Sequence, residues 1–258
     1  MDLVIDVGNS ETVLGLVRPG GLELAAHWRV STTVPRTVDE YEVVLRALIA
    51  GRGFTPDDLT LAVLGSVVPA ATGVITDTLA RIREEPPVVV TAKSPLPIKL
   101  DVDEPLTVGA DRIVNTLAAK EMYGRDTIVV DLGTATTFDC ITAEGVFRGG
   151  VISQGIQAGL DWLGKKTAKL PNVELGPPDQ VIGRRTEECI RSGVFYSAVD
   201  AVDGIVRRIK AEWSSPDIYV VATGGYAEVI GPHAETVDHI EPFLTLYGLA
   251  LAGRRIRG

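Results

Sequence analysis

One strand-turn-strand pattern occurs twice in this chain and constrains its fold more than any other feature. The fuller copy covers residues 128–139, where β-branched apolar residues lead into Asp131, Gly133 and a run of threonines. The apolar run predicts a buried strand, and Gly133 permits a turn that a residue with a Cβ would resist. Residues 140–142 are again strand-prone, so the turn is expected to join two strands. A P-loop differs, because its glycines lead into a helix.

The start of the chain repeats this pattern over residues 3–15, with Asp6 in the place of Asp131. A single Asp-x-Gly is common in turns, where a simple hairpin explains it. Two copies, each followed by Ser or Thr, predict an internal duplication. We therefore expect an α/β fold with two similar domains, residues 1–112 and 113–258, and a binding site between them.

Each turn combines a carboxylate, a glycine and several hydroxyl groups, a combination that we interpret as phosphate binding, and neither turn contains a lysine. The chain has a net charge of −9, so an anionic ligand needs local donors and metal ions to offset that charge. The expected donors are backbone N–H groups, the hydroxyls of Ser10, Thr12, Thr134 and Thr136, and Arg112. The same net charge disfavours nucleic acid or a membrane surface as a partner.

Cysteine usage and apolar runs indicate the compartment. Cys140 and Cys189 form neither a metal-binding spacing nor a disulfide framework, and they predict buried free thiols in a reducing environment. The longest apolar run, residues 59–75, is broken by glycine and proline and does not fit a membrane span. The first strand follows Met1 directly, without a leader pattern, so we expect a cytoplasmic protein.

A helix is predicted over residues 108–122, where apolar residues recur at helical spacing. Asp111 and Arg112 lie in its first turn. Compensation of the helix dipole by itself explains an aspartate there, with a stabilisation of a few tenths to about 1 kcal/mol. Because this helix leads directly into the strand that carries Asp131, we favour a second interpretation, in which Asp111 faces the predicted binding site.

Two pairs of residues have both a functional and a structural interpretation. Gly224 and Gly225 end a predicted strand, where the backbone either approaches a flat ligand such as a base or ribose, or simply turns. Asp200 and Asp203 fall on the apolar stripe of a helix over residues 186–210. We interpret both carboxylates as charged edge positions.

Six short motifs in a fixed order provide a more specific indication. Through them the chain resembles type III pantothenate kinases over essentially its whole length; the motifs are residues 6–10, 66–69, 109–112, 131–137, 149–152 and 222–225. The resemblance implies the actin-like ATPase fold, with two ribonuclease-H-like domains and a nucleotide cleft between them. It also implies a homodimer that phosphorylates pantothenate with ATP, the first committed step toward coenzyme A.

The resemblance assigns roles to individual residues. Asp111 is implied to be the proton acceptor, Asp131 the ligand of K⁺ or NH₄⁺, and Asp6 a residue that positions Mg²⁺ through water. The implied ATP contacts are Asp6, Val7, Gly8, Asn9, Ser10, Glu11, Thr12, Val13, Thr134, Gly224 and Gly225. The implied pantothenate contacts are Val102, Gly109, Ala110, Asp111, Arg112 and Thr186.

Two positions depart from the family pattern. Glu11 places a negative group near the phosphates where many members have Asn, so we expect it to point away from them or toward a cation. Val102 lies nine positions before Asp111, where members commonly have a substrate-contacting Tyr. This departure bears on the affinity for pantothenate and not on the type of reaction.

Two alternatives to pantothenate phosphorylation stay open. Another enzyme of the same fold, such as a sugar kinase or a phosphatase acting on polyphosphate, shares both hairpins, although the Gly109–Arg112 motif favours pantothenate. A non-catalytic accessory or regulatory relative is expected to have lost one of three aspartates. This chain retains Asp6, Asp111 and Asp131.

Overall fold

The computed structural model describes residues 1–166, 170–215 and 217–258. Contacts divide the chain into two compact units, of which the first combines Met1–Met122 with Leu244–Gly258 and the second is Tyr123–Phe243. This division differs from the predicted boundary between residues 112 and 113, because residues 113–122 and the end of the chain group with the first unit.

The first unit is built on a five-stranded sheet in the order β3-β2-β1-β4-β5. Its strands are β1 Asp2–Val7, β2 Glu11–Val17, β3 Leu24–Ser31, β4 Leu61–Ser66 and β5 Val88–Val90. The first three form an antiparallel meander, whereas β4 and β5 run parallel to β1. A short strand, β6 Lys99–Leu100, lies farther along the chain.

Three helices of this unit precede the second unit in sequence: α1 Val38–Ala50, α2 Pro69–Arg83 and α3 Ala110–Tyr123. Side chains alternate across a strand, and Leu3, Ile5 and Val7 of β1 are buried in a core that also contains apolar residues of α1 and α2. Asp6 therefore lies on the opposite face of the sheet from this core.

The second unit repeats the arrangement of strands, which run in the order β11-β10-β7-β8-β9. They are β7 Thr127–Leu132, β8 Ala135–Ile141, β9 Val146–Gln154, β10 Tyr219–Thr223 and β11 His239–Ile240. Again the first three are antiparallel, and the last two run parallel to the first. The predicted duplicated α/β fold is confirmed, and each turn joins two strands.

The helices of the second unit are α4 Ile156–Lys166, α5 Thr186–Trp213 and α6 Ala227–Ile230. The predicted edge position is correct for Asp200, which is exposed, and wrong for Asp203, which is 6% exposed. Asp203 accepts hydrogen bonds from the backbone N–H groups of Glu235 and Thr236 at 3.1 and 2.9 Å and from the Thr236 hydroxyl at 2.7 Å. Burial raises the pKa of Asp203, but these hydrogen bonds and Arg207 more than offset it and hold the pKa below its usual value.

The prediction of two buried thiols is wrong. Cys140 is half-buried, and Cys189 is exposed in the first turns of α5. The Cys189 thiol donates to the carbonyl oxygen of Gly183 at 3.3 Å. A position near the start of a helix leaves this side chain beside a loop and not in the core.

The last helix, α7 Leu244–Arg257, packs on β1, β4 and β5. Two glycines permit this approach: a Cβ on Gly248 would lie 2.2 Å from the Val114 carbonyl oxygen, and one on Gly253 would lie 2.2 Å from Val63 Cγ2. Arg254 Nε donates to Asp2 Oδ2 at 2.7 Å. These contacts explain why the end of the chain belongs to the first unit. In the part of the chain that the structure describes, no helix is long and apolar enough to cross a membrane.

Candidate active site

Asp6 and Asp131 occupy equivalent positions in the two sheets. Asp6 pairs in register with Val13 of β2 and Gly65 of β4, and Asp131 pairs with Thr137 of β8 and Thr223 of β10. Each aspartate is thus next to the end of a central strand, flanked by an antiparallel and a parallel neighbour. The carboxyl ends of parallel strands are where open α/β sheets bind ligands.

The Asp6 turn is tight, and only part of its hydroxyl set faces outward. Gly8 N donates to the Glu11 carbonyl oxygen at 3.0 Å, and Asn9 is exposed. Thr12 is 1% exposed, and its hydroxyl is hydrogen bonded to that of Thr32 at 2.8 Å. Because side chains alternate along β2, Thr12 lies on the opposite face from Val13 and Asp6. We therefore assign no phosphate contact to the Thr12 hydroxyl.

Glu11 is paired with a cation of the neighbouring strand. Arg29 Nη1 of β3 donates to Glu11 Oε2 at 3.0 Å, with both side chains about half exposed. An exposed pair of this kind contributes about 0–1 kcal/mol to stability. Its relevance is electrostatic, because the pair neutralises a carboxylate at the edge of the turn.

Helix α3 starts beside the carboxyl ends of β1 and β4. A Cβ on Gly65, the register partner of Asp6, would lie 3.6 Å from Ala110 Cβ at the start of α3. Within the first unit, the fold therefore brings the first turn of α3, which carries Asp111, close to the strand end that carries Asp6. The sequence separates these two aspartates by about a hundred residues, and the parallel pairing of β1 with β4 places Gly65, which is next to the start of α3, beside Asp6.

The Asp111 carboxylate is held over its own helix start. Its Oδ1 accepts a hydrogen bond from the backbone N–H of Arg112 at 2.8 Å. A Cβ on Gly109 would lie 2.4 Å from this Oδ1 atom and 3.2 Å from Val67 Cγ1. Gly109 thus leaves the space into which the carboxylate folds back. The sequence pattern alone did not reveal this role of the glycine.

The Asp131 turn is packed against two other segments of the second unit. A Cβ on Gly155 would lie 2.0 Å from the carbonyl oxygen of Thr134, so the backbone before α4 directly contacts the turn. Gly224 has a φ of +90°, and a Cβ on it would lie 2.4 Å from Asp131 Oδ1. Tyr226 N donates to the Leu132 carbonyl oxygen at 3.1 Å, which fixes this turn beside β7.

In the second turn, as in the first, one hydroxyl is accessible and the other is buried on the opposite face of the sheet. Thr134 is exposed, whereas Thr136 is 7% exposed and pairs with Leu132, on the opposite face from Asp131. Of the remaining predicted contacts, Val102 is half-buried in the connector of the first unit, and Thr186 is exposed at the start of α5 in the second unit.

A separate cleft of about 460 Å³ lies on the second unit, bounded by α4, α5 and the sheet. Its lining is mainly apolar and includes Phe138, Ile156, Trp162 and Val194. It contains neither Asp131 nor Gly224. No group of three or more His, Cys, Asp or Glu side chains that could hold a metal occurs among the described residues.

Comparisons with known proteins find similarity over nearly the whole length of the chain. A family model described as type III pantothenate kinase matches residues 2–208. The type III pantothenate kinase of Moorella thermoacetica is 43% identical over 257 residues, which cover 99% of each chain. That of Halalkalibacterium halodurans is 41% identical over 251 residues, which cover 97% of this chain and 98% of the relative.

Among solved structures, a ROK family glucokinase from Streptomyces griseus in complex with glucose and AMPPNP covers 98% of this chain and 99% of its own, with a TM-score of 0.58. Its sequence identity is 14%, so the likeness concerns the fold alone. The predicted actin-like ATPase fold is confirmed.

Proposed function

The chain belongs to the type III pantothenate kinase family, and we propose that Asp6, Asp111 and Asp131 form the core of its catalytic machinery. The enzyme phosphorylates pantothenate in the biosynthesis of coenzyme A. The observation that carries the assignment is the convergence of Asp6 and the first turn of α3 at the carboxyl ends of β1 and β4.

We assign the ATP phosphates to the backbone and outward-facing hydroxyls of the two turns. Phosphoryl transfer depends mainly on alignment and charge neutralisation, and neither turn contains a lysine. Ser10 and Thr134 supply hydroxyl groups. Arg29, which is paired with Glu11, reduces the electrostatic repulsion between the Glu11 carboxylate and the phosphates. Gly224 and Gly225 lack a Cβ, and we assign to their backbone the contact with the adenosine part of ATP.

The oxygen donors of the two turns suit metal ions. Mg²⁺ is usually held in proteins by one or two carboxylates together with water and substrate phosphates. Asp6 would hold it through water, and Asp131 would hold a monovalent cation, K⁺ or NH₄⁺. When bound, these ions supply positive charge against the phosphates.

Asp111 accepts the proton of the primary hydroxyl of pantothenate. Arg112 N–H fixes one carboxylate oxygen, so the second oxygen is oriented to accept. A loose transition state demands hydrogen-bond reach more than a raised pKa from this base. The expected pantothenate contacts are Val102, Gly109, Ala110, Arg112 and Thr186. With Val102 in the place of a tyrosine, the neutral hydrogen bond of a phenol is missing, at a cost of about 0.5–1.5 kcal/mol of binding.

A direct assay tests this function. Purified protein is incubated with Mg²⁺, K⁺ and ATP, with and without pantothenate, and both ADP and phosphopantothenate are measured. ADP formation that depends on pantothenate supports the proposal. Turnover with a sugar but not with pantothenate would indicate another kinase of this fold, and no turnover with either would indicate a non-catalytic relative.

Gly109→Ala is expected to lower kcat by about tenfold or more with a small change in stability. The added methyl meets the end of the Asp111 side chain, which moves away and loses its hydrogen bond to Arg112 N–H. Misplacement of a reacting group by about 1 Å can cost about 10²-fold in rate. Steady-state kinetics and thermal unfolding measure both effects.

The matched control is Gly73→Ala in α2, where a Cβ has nothing within 4 Å. This change is expected to leave kcat unchanged and to stabilise the helix by about 0.5–1 kcal/mol. If Gly109→Ala had the kinetics of the Gly73→Ala control, the glycine would not position Asp111.

We further assign the second unit to the interface of a cytoplasmic homodimer. Four of its large apolar side chains are exposed by 60% or more, namely Ile152, Trp162, Val181 and Ile182. Along α5 the exposed Gly193, Ser197 and Ala201 recur every fourth residue, and such small side chains permit close helix packing. Exposed apolar surface of this kind is typical of protein interfaces.

Ile182→Glu is expected to weaken the dimer, because it places a charge where an apolar side chain is 82% exposed. The matched control is Val43→Glu on α1 of the first unit, where the valine is 69% exposed. Sedimentation velocity over a range of protein concentrations compares the two variants with the parent. A parent that is monomeric throughout, or two variants that dissociate equally, would contradict this assignment.

A further inference from the structure

Thr223, the last residue of β10, carries a buried hydroxyl that the protein does not satisfy. The residue is 0% exposed, and its Oγ1 atom has no hydrogen-bond partner among the described residues. Most buried polar side-chain atoms have a partner, and an unsatisfied one destabilises the folded state. The hydroxyl therefore points to a partner supplied by a ligand.

The register of the sheet places this hydroxyl beside Asp131. Thr223 and Asp131 are Cα partners across β10 and β7, and Asp131 and Thr137 are partners across β7 and β8. Residues paired in register project from the same face of a sheet. The three side chains thus form one row, with a carboxylate between two hydroxyl groups.

The turn after β10 fixes the direction of the Asp131 carboxylate. A Cβ on Gly224 would lie 2.4 Å from Asp131 Oδ1, so this oxygen lies directly beside the residue that follows Thr223. Thr223 Oγ1 nevertheless makes no hydrogen bond to the carboxylate. The hydroxyl therefore lies in the same row as the Asp131 carboxylate without donating to it, and a cation bound at Asp131 would supply a partner within this row.

We propose that the Thr223 hydroxyl is a ligand of the monovalent cation, completing with Thr137 the site that the proposed function assigns to Asp131. One carboxylate and two neutral hydroxyls supply a single negative charge and only oxygen donors. That set matches a large monovalent ion, whereas Mg²⁺ dehydrates reluctantly and usually keeps several waters. Thr223 is thus a cation ligand as well as the residue that precedes the adenosine turn.

Thermal unfolding without nucleotide or pantothenate tests the site independently of activity. The Tm is measured in increasing KCl, with N-methyl-D-glucamine chloride keeping the ionic strength constant. Because a ligand that binds only the folded state raises its stability in a saturable way, the Tm of the parent is expected to rise with K⁺. Thr223→Val is expected to weaken the apparent affinity for K⁺ by tenfold or more, and Thr223→Ser to retain it.

The control is Thr127→Val on β7. Thr127 is also 0% exposed, but its hydroxyl donates to the Arg125 carbonyl oxygen at 2.8 Å. This variant is expected to lower the Tm equally in both salts and to keep the K⁺ response. Thr223→Val removes an unsatisfied hydroxyl, so its Tm in N-methyl-D-glucamine chloride is expected to equal or exceed that of the parent.

Two results would overturn the cation ligand. One is a Thr223→Val protein whose apparent affinity for K⁺ stays within twofold of the parent, as expected if a water molecule satisfies the hydroxyl. The other is a parent whose Tm does not distinguish K⁺ from N-methyl-D-glucamine. If the protein shows the expected K⁺ response but forms no phosphopantothenate, the cation site is supported and the proposed function is contradicted.

Discussion

Asp111→Asn is expected to lower kcat by about 10²–10⁴-fold, the usual contribution of a positioned general base. The amide keeps the size of the side chain, and its oxygen can still accept from Arg112 N–H. What it loses is the capacity to take a proton from the substrate hydroxyl. Folding and ATP affinity should therefore stay close to those of the parent, as measured by thermal unfolding and nucleotide titration.

The control separates catalysis from the helix dipole. Asp39 lies in the first turn of α1, is exposed, and pairs with Arg81 at 2.7 Å. Asp39→Asn removes the same charge from an equivalent helix position, so it reports the effect of the dipole alone. If Asp111→Asn lost no more activity than Asp39→Asn, the structural interpretation of Asp111 would be correct.

The duplicated hairpins made the fold predictable. Asp6 and Asp131 each end an apolar run and precede a glycine, and both patterns depend on neighbours in sequence. The two hairpins followed from these patterns, because strands that are consecutive in sequence and joined by a short turn usually pair with each other. Asp6 and Asp131 could be named as candidate site residues for the same reason.

Features that depend on packing could not be predicted in this way. Thr12 and Thr136 look equivalent to Ser10 and Thr134 in the sequence, but each pairs with a residue on the opposite face from the aspartate. Side chains alternate between the two faces of a strand. The residue at which the strand begins therefore decides which hydroxyls lie on the same face as the aspartate. A shift of one residue would reverse the assignment.

Long-range contacts were also beyond the sequence pattern. Asp203 looked like an edge carboxylate, yet it is buried by residues 235 and 236, far from it in the chain. The role of Gly109 depends on the rotamer of Asp111, and that of Gly224 on the position of β7. In both cases the glycine is visible in the sequence, but the atom it accommodates is not.

Activity is expected to depend on K⁺ or NH₄⁺ in addition to Mg²⁺, and Na⁺ should support it poorly. The two turns to which we assign the ATP phosphates lack lysine, and the chain as a whole has a net charge of −9. Two unit charges about 4 Å apart interact by about 1 kcal/mol in water and about 4 kcal/mol near a protein surface. Loss of one such interaction in the transition state corresponds to a rate decrease of about fivefold to a thousandfold.

Asp131→Asn should remove this dependence, because it replaces the one charged ligand of the site by a neutral amide of the same shape. Rates are measured in chloride salts of K⁺, NH₄⁺, Na⁺ and choline at constant ionic strength. Asp200→Asn is the matched control: Asp200 is exposed on α5 of the same unit, and its loss changes the net charge equally. The control should retain the full response to K⁺. Equal rates of the parent in Na⁺ and K⁺, or an Asp131→Asn protein that K⁺ still activates, would show that the phosphates are neutralised by other groups.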